Sequence, residues 1–328
     1  MMYSLFVAQS LDIAFHVTNL DEFSDNFATT SLLLVDCIKH GVLSMRRDSL
    51  IELTDMLSKN LFASVTKREI KIRERYDKLV ELNTNLYAIC FFGGAVFAFV
   101  TTTIIDFKKR RLIVSVWLPY NYSSATLYLL TSAYEWVAGE YAIMTSAACD
   151  CLYIGLLLHI CGQIKVLEHR FQTLTEEGYY SLNQCAAHHY NIYQFVFDQS
   201  GSIVESSTIK WFAKMVNKKF TEVMFFQFAA RMLIETLIYS FGTFAQIAYY
   251  CWFSNEVKLK SIEFADEIFY SDWVSWGNEA KKVFLMVLTR SAQPIEFSCI
   301  SILPINLESF MKLLKTSYSA FNIMQQSR

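Results

Sequence analysis

Long apolar segments separated by polar ones run along the whole chain. The clearest, LYAICFFGGAVFAFVTTTII at 86–105, contains no charged residue and has the length of about 20 residues that a helix needs to cross a bilayer. The pattern predicts a series of membrane-spanning helices. The other segments occupy 1–18, 27–45, 128–163, 214–252 and 281–326, the last divided by Pro304 into a part bounded by charges at 281–290 and a membrane part at 297–326.

One apolar stretch has a length that fits neither one crossing nor two. As a helix, 225–252 would reach about 42 Å, against a hydrocarbon core of about 30 Å, whereas two crossings need about 40 residues. A turn at membrane depth would also leave backbone polar groups unpaired. We therefore expect one unbroken helix that passes through Ile234 and Phe244, begins at about Lys214 and ends at about Trp252.

Several charged or polar residues lie inside the apolar segments. They cannot comfortably face lipid, so we expect them to face the interior of a helix bundle or a wet cavity. Because no base, nucleophile or metal partner accompanies the acidic ones, they do not indicate an enzyme. The residues concerned are Asp36, Lys39, His40, Glu135, Glu140 and Asp150.

The composition agrees with an all-α membrane protein. Hydrophobic residues make up 53% of the 328 residues and aromatic residues 16%, which exceeds what the core of a soluble domain needs. Only 3 prolines and 10 glycines interrupt the chain, and this favours long helices over a turn-rich β protein. The balance of 29 basic and 31 acidic residues gives no sign of a nucleic-acid partner.

The cysteines and histidines do not form a metal-binding pattern. Cys149 and Cys151 form a C-x-C, but no further Cys or His stands at ligand spacing, so we interpret them as packing residues of a membrane helix. His188 and His189 are adjacent, which places them on different sides of a helix. We expect these two histidines on a polar loop or a helix surface.

Lysine and arginine predict the orientation in the membrane. The segment 45–81 is rich in both, whereas 19–26 contains neither, which places 45–81 in the cytoplasm. The same alternation puts 106–127 outside the cell, although its KKRR run is the weak point of this assignment. The sequon Asn121-Tyr122-Ser123 lies in that outer loop, so Asn121 is a candidate for glycosylation.

Four stretches, in their order and spacing, resemble the insect odorant receptor family. They are LLLHICGQIKVLEHRF at 156–171, AAHHYNIYQF at 186–195, FAQIAYYCWFSNEV at 244–257 and the ending LKTSYSAFNIMQQ. The resemblance implies a seven-helix bundle with its N-terminus inside, in the plasma membrane of sensory-neuron dendrites. It implies an odorant-gated, non-selective cation channel that forms a heterotetramer with a shared olfactory co-receptor, binds small volatile odorants, contacts membrane lipid and uses no cofactor.

The family order of helices implies that part of this chain is missing. VNKKFTEVMFFQFAARML resembles the start of the fifth helix and FGTFAQIAYYCWFSNEV the end of the sixth, so 214–252 would be two fused half-helices, and the first helix is clipped. A truncated or exon-skipped chain could be nonfunctional or dominant-negative. A secondary transporter is a further alternative, but we find neither the internal repeats nor the paired helix breaks typical of that class.

The resemblance also implies positions for the functional residues. In the family the last helix lines the pore, which makes Ile323 the gate candidate, with Gln326 and Ser327 close by. Trp273 and Trp276 flank a turn in the region of the family's subunit anchor. The odorant pocket is expected in the outer half of the bundle, with candidates Phe97, Val100, Thr101, Tyr134, Ala138, Tyr141 and Met144.

Overall fold

Three helices are much longer than a bilayer is thick. Lys67–Asp106 has 40 residues, Ala125–Gln172 has 48 and Ala230–Phe269 has 40. At 1.5 Å per residue they reach about 60, 72 and 60 Å, against an apolar layer of about 30 Å. Each of them therefore has length to extend well beyond a membrane.

The computed structural model describes residues 1–17, 20–58, 62–106, 112–174, 179–199, 230–299 and 303–326. In chain order the elements are α1 (Met2–Phe15), α2 (Leu20–Met45), α3 (Arg47–Ser58), α4 (Lys67–Asp106), α5 (Ala125–Gln172), α6 (Tyr179–Gln199), α7 (Ala230–Phe269), a single 3-10 turn (Trp273–Ser275), α8 (Asn278–Ser291), β1 (Ser298–Cys299), β2 (Leu303–Pro304) and α9 (Leu307–Gln326).

Helix α5 is the centre of the bundle. It packs against α1, α2, α4, α6 and α7. Between Tyr153 and Leu167 it is apolar and buried on nearly every side, as expected of a helix surrounded by others. Among the described residues, α5 is also the one helix that is long and apolar enough to span a membrane by length and composition.

The buried apolar residues form two separate cores. The large core joins the C-terminal half of α5 to α6, α7 and α8, and it includes Tyr153, Phe171, Phe264 and Phe284. The small core lies where α1 and α2 meet the first half of α5. Its buried members are Met2, Leu5, Leu33, Cys37, Ala138 and Ala142.

Helix starts follow from local chemistry. Thr66 accepts a bond from the backbone N–H of Glu69 at 3.2 Å, and the Glu69 carboxylate reaches back to the N–H of Val65 at 2.7 Å. This is a capping box, which satisfies two of the backbone donors exposed at the start of α4. Ser124 caps α5 in a similar way, accepting from the N–H of Leu127 at 3.2 Å.

Two expectations about the second half of the chain are confirmed. Helix α7 is unbroken through Ile234 and Phe244, and the expected start at Lys214 lies outside the described residues. The expected end at about Trp252 is wrong: the helix continues to Phe269, because its polar C-terminal part keeps packing against α8 and the large core. Pro304 does separate the last helix from the element before it. It pairs with Ser298 in the antiparallel β1–β2 pair, and α9 begins at Leu307.

Two glycines let α4 lie close against α5. A Cβ atom at Gly162 would meet the ring of Tyr76 at 3.2 Å, and one at Gly155 would meet Val80 at 3.5 Å. Small residues at such positions allow close helix contact, which is the main source of attraction between helices in lipid. By contrast, a Cβ atom at Gly139, on the same helix, would meet nothing within 4 Å.

We predict that Gly162→Val lowers the free energy of unfolding by about 1–3 kcal/mol, because the added methyl groups must displace Tyr76. Gly139→Val is the matched control and should change the stability by less than about 0.5 kcal/mol, since it extends into open space. Thermal unfolding of both variants purified in detergent measures the difference. Equal losses would show that the close contact at Gly162 is not the cause.

Candidate functional site

A buried carboxylate in α5 joins four helices. Asp150 is 1% exposed, and its oxygens accept a bond from Lys39 Nζ in α2 at 2.7 Å and from the hydroxyl of Tyr87 in α4 at 2.6 Å. Gln246 and Tyr250 in α7 donate to the same carboxylate. We call these residues, together with Ser146, the Asp150 cluster.

The cluster satisfies its buried charges. A carboxylate offers about four acceptor sites, and here donors from α2, α4 and α7 fill them. Lys39 Nζ also donates to Ser146 Oγ at 2.8 Å, and the Ser146 hydroxyl bonds the carboxylate of Asp36. A charged pair survives away from water only with such complete pairing. The expectation that Asp36 and Lys39 face the bundle, and that Asp150 is an interhelical group, is confirmed.

Aromatic rings enclose the Asp150 cluster. The ring of Tyr87 stacks on Phe91 at 4.3 Å and on Tyr249 at 5.0 Å, centroid to centroid. On the side of the large core, Tyr153 packs edge-on against Tyr250 at 5.2 Å. These rings exclude water from the ion pair, so its electrostatic attraction is little screened.

The structure divides the candidate odorant residues between two places. Tyr134, Ala138 and Tyr141 share the face of α5 that packs on α1 and α2: the Tyr134 hydroxyl bonds Ser4 Oγ at 2.6 Å, and Ala138 is fully buried in the small core. The Tyr141 hydroxyl lies 3.4 Å from Nε2 of His40.

The other candidates of this group are not brought against that face. Phe97, Val100 and Met144 are exposed, Phe97 by 66%. Thr101 lies in α4, but its side chain is outside the described part of the chain. The six candidates whose side chains are described thus divide between the face of α5 that packs on α1 and α2 and exposed positions of α4 and α5.

The candidates for the pore and the subunit contact have different outcomes. Ile323 and Gln326 lie in α9, but their side chains, and all of Ser327, are outside the described residues. The rings of Trp273 and Trp276 both contact Phe284 of their own chain, at 5.3 and 5.4 Å. Both rings remain partly exposed.

The segment that carries Asn121 is fixed to the N-terminal part of α5 and to α1. The buried carboxylate of Glu135 accepts from the N–H of Ile113 at 3.1 Å, and the N–H of Trp117 donates to the carbonyl of Ala8 at 3.0 Å. Asn121 itself is exposed, with its side chain accepting from the N–H of Ser123 at 3.0 Å. Glu135 therefore holds a loop.

A second polar network lies at the other end of α5. Arg170 binds the Glu69 carboxylate with two nitrogens, at 3.3 and 3.2 Å, and donates to the carbonyl of Ala63 at 2.8 Å. It also contacts Nδ1 of His188 at 3.1 Å, while Nε2 of His188 contacts Oε1 of Gln163 at 3.0 Å. We call these residues the Arg170 network.

The expected surface position of His188 and His189 is wrong. Both side chains are buried, because α6 packs against α5 on one side and α8 on the other. His188 joins the Arg170 network, and His189 Nε2 lies 3.0 Å from Ser291 Oγ of α8. Two adjacent residues of a helix point about 100° apart, so a helix with neighbours on both sides buries both.

The Arg170 network holds its groups in defined protonation states. Burial, with the nearby charge of Arg170, lowers the pKa of His188 to about 3. The ring is therefore neutral, with Nδ1 accepting from Arg170 and Nε2 donating to Gln163. Burial raises the pKa of Glu69, but the bonds from Arg170 and from the backbone outweigh it and hold that pKa below its usual range.

The profile of the 7tm Odorant receptor family matches residues 19–318. The chain belongs to this family. The members of this family are membrane-embedded odorant receptors and not enzymes. The seven-helix fold class expected from the sequence resemblance is thereby confirmed.

Curated insect odorant receptors share limited identity with this chain. Odorant receptor 10 of Aedes albopictus is 33% identical over 94 residues, 29% of this chain and 25% of that protein. Odorant receptor Or2 of Anopheles gambiae is 23% identical over 176 residues, 53% of this chain and 45% of that protein. Odorant receptor 42a of Drosophila melanogaster is 22% identical over 280 residues, 81% of this chain and 68% of that protein. The receptor thus matches less than half the length of the first two relatives.

The fold is also that of a solved odorant receptor. The insect olfactory receptor OR5 from Machilis hrabei, in complex with eugenol, superposes with a TM-score of 0.82 at 15% identity. The superposition covers 100% of this chain and 87% of that chain. This likeness shows the fold alone, and it gives no support to the hypothesis of a nonfunctional or dominant-negative truncated receptor.

The donors around Asp150 were not predicted from the sequence. Tyr87 lies in α4, whereas Gln246 and Tyr250 lie in α7, and no pattern near any of them identifies Asp150 as their partner. A signal was nevertheless present. Gln246 and Tyr250 stand four residues apart, which places two polar groups on one face of an otherwise apolar helix.

We predict that the stability of the receptor depends on His188 between pH 7 and pH 5. In the unfolded chain a histidine takes up a proton below about pH 6.5, whereas folded His188 stays neutral down to about pH 3. The unfolded state therefore binds more protons, and stability is lost as the pH falls. The loss from this residue is about 2 kcal/mol at pH 5.

His188→Gln should remove this part of the pH dependence. The measurement is the difference between pH 7 and pH 5 in the unfolding free energy of the protein purified in detergent. Ile192→Val, buried in the same helix, is the control: it should destabilise by about 0.5–1.5 kcal/mol at both pH values alike. An unchanged pH dependence in His188→Gln would contradict a neutral buried ring.

Proposed function

We propose that this odorant receptor is a subunit that binds small volatile ligands and gates a non-selective cation channel together with a shared olfactory co-receptor. The observation that carries the proposal is the family match over residues 19–318. The likeness in fold to a receptor solved in complex with eugenol, a small volatile phenol, supports it. The proposed location is the plasma membrane of chemosensory neurons.

The ligand is proposed to bind between α2, α4, α5 and α7 mainly by burial. Apolar surface removed from water contributes about 25 cal/mol per Å², and a few polar groups fix the orientation of the ligand. Phe97, Val100 and Met144 are the candidates that support this role best, since their side chains are exposed. Ala138 supports it least, because the receptor's own side chains already fill its surroundings.

The channel roles are assigned to the second half of the chain. Ile323 is proposed as a gate residue in α9, with Gln326 and Ser327 beside it. Trp273 and Trp276 are proposed to contribute to the contact between subunits. Phe284 covers only part of each ring, and large, partly exposed aromatic rings are frequent at protein interfaces.

We predict that co-expression with an olfactory co-receptor gives inward cation currents when volatile probes, beginning with eugenol, are applied. The same cells expressing this receptor alone should give no odorant-evoked current, because the proposed channel is a heterotetramer. Whole-cell recording measures both, with the co-receptor alone as the control. Reproducible currents without co-receptor, or none from the pair across a broad panel of volatiles, would refute the proposed function.

We predict that Asn121 is glycosylated, because the proposed orientation places it outside the cell. Asn121→Gln should therefore abolish the gel-mobility shift that a glycosidase causes. The matched control is a sequon built at the exposed turn after α2 by Arg46→Asn with Asp48→Ser, in the Asn121→Gln background. It should stay unmodified, and glycosylation of this second site would show an inverted receptor.

A further inference from the structure

The four helices of the Asp150 cluster are the four that surround the proposed odorant site. Lys39 belongs to α2, Tyr87 to α4, Asp150 to α5 and Tyr250 to α7. In α5, Met144 precedes Asp150 by six residues, which is about 9 Å along the helix axis. The cluster thus lies next to the proposed odorant site, between that site and the C-terminal half of α5.

On its other side, the cluster contacts the large core and the base of the last helix. Tyr153, one turn after Asp150, packs edge-on against Tyr250 at 5.2 Å and against Phe297 at 6.4 Å. The carbonyl of Phe297 accepts from the N–H of Ile305 at 2.8 Å, immediately before α9 begins. A continuous line of buried groups therefore joins the odorant site to the start of the proposed pore helix.

A second carboxylate lies near Lys39. Lys39 pairs with Asp150, but Asp36, one turn away on α2, is bonded to Ser146 and interacts with the same ammonium group. A rotation of α2 that moved Lys39 from Asp150 to Asp36 would exchange one buried partner for another. Because an unpaired buried polar group is costly, positions between the two would be disfavoured. Such an exchange would form the two-state element that coupling between distant sites requires.

We propose that the Lys39–Asp150 pair is a positioning element for gating: it couples ligand binding among α2, α4, α5 and α7 to the base of α9 through Tyr153 and Phe297. This inference rests on the proposed function of the receptor. The pair touches neither ligand nor ion in this assignment. It sets the relative positions of the helices that do.

The experiment compares Lys39→Met, Asp150→Asn and the double variant, each co-expressed with the co-receptor. Dose-response curves with a volatile that activates wild type, and the odorant-independent current, are recorded beside the amount of receptor at the cell surface. Asp48→Asn is the matched control, since it makes the same change at a pair in which Asp48 is 98% exposed. Tyr87→Phe and Tyr250→Phe remove one hydroxyl each and keep the charged pair.

We expect each single charge variant to reach the surface and to shift the half-maximal odorant concentration, or the odorant-independent current, by about tenfold, the effect of one charge-assisted bond. The double variant should shift no more than either single one, because the pair acts as a unit. The two phenylalanine variants should give smaller shifts in the same direction. Asp48→Asn should match wild type.

Three results would overturn the inference. One is an unchanged dose response and odorant-independent current in variants that reach the surface. Another is a double variant whose shift is the product of the single ones. The third is loss of all cluster variants from the surface, including Tyr87→Phe and Tyr250→Phe, which shows a purely structural role. If wild type itself answers no volatile, the proposed function fails, and the odorant-independent current then decides the inference alone.

Discussion

A carboxylate without access to water must have all its hydrogen bonds made by the protein, and Asp150 imposes this condition on the whole bundle. Its donors come from α2, α4 and α7, so these helices can approach α5 only at the height and rotation that bring Lys39, Tyr87 and Tyr250 to one point. Apolar packing alone permits many rotations of a helix. The buried charge selects one of them, or a small number, and so gives the helices a defined register.

The Arg170 network imposes the same condition at the C-terminal end of α5. There Glu69 lies in the first turn of α4, Arg170 in the last turn of α5 and His188 in the middle of α6, so one set of bonds fixes three helices and the 62–66 segment. Between the two polar sites, Gly155 and Gly162 allow α4 to lie against α5 with little space between them. The two long helices are thus fixed at two points and in close contact between them.

The sequence predicted what depends on local pattern and missed what depends on partners. The presence of the apolar helices, the break at Pro304 and the inward direction of Lys39 follow from the hydrophobic pattern and from the cost of charge in lipid. The helices α4, α5 and α7 are longer than or displaced from the predicted segments, because they continue beyond the apolar residues. The donors to Asp150 lie 63 to 111 residues away along the chain, so the local sequence, even the spacing of Gln246 and Tyr250, does not name their partner. Ala138 was placed in a pocket, but small size equally suits close packing, and here α1 and α2 fill the space.

Three of the four stretches that carry the resemblance to the family contain residues of these two networks. Gln163 and Arg170 lie in the first stretch, His188 in the second, and Gln246 and Tyr250 in the third. An apolar residue can be exchanged for another of similar volume at small cost, whereas a buried polar group requires its particular partner. A chain can therefore keep the fold of the Machilis hrabei receptor at 15% identity, since apolar positions are interchangeable as long as such polar groups are paired. By the same reasoning, apolar positions around the proposed odorant site are free to vary in size, and ligand preference can change without disturbing the helices that the Asp150 cluster joins.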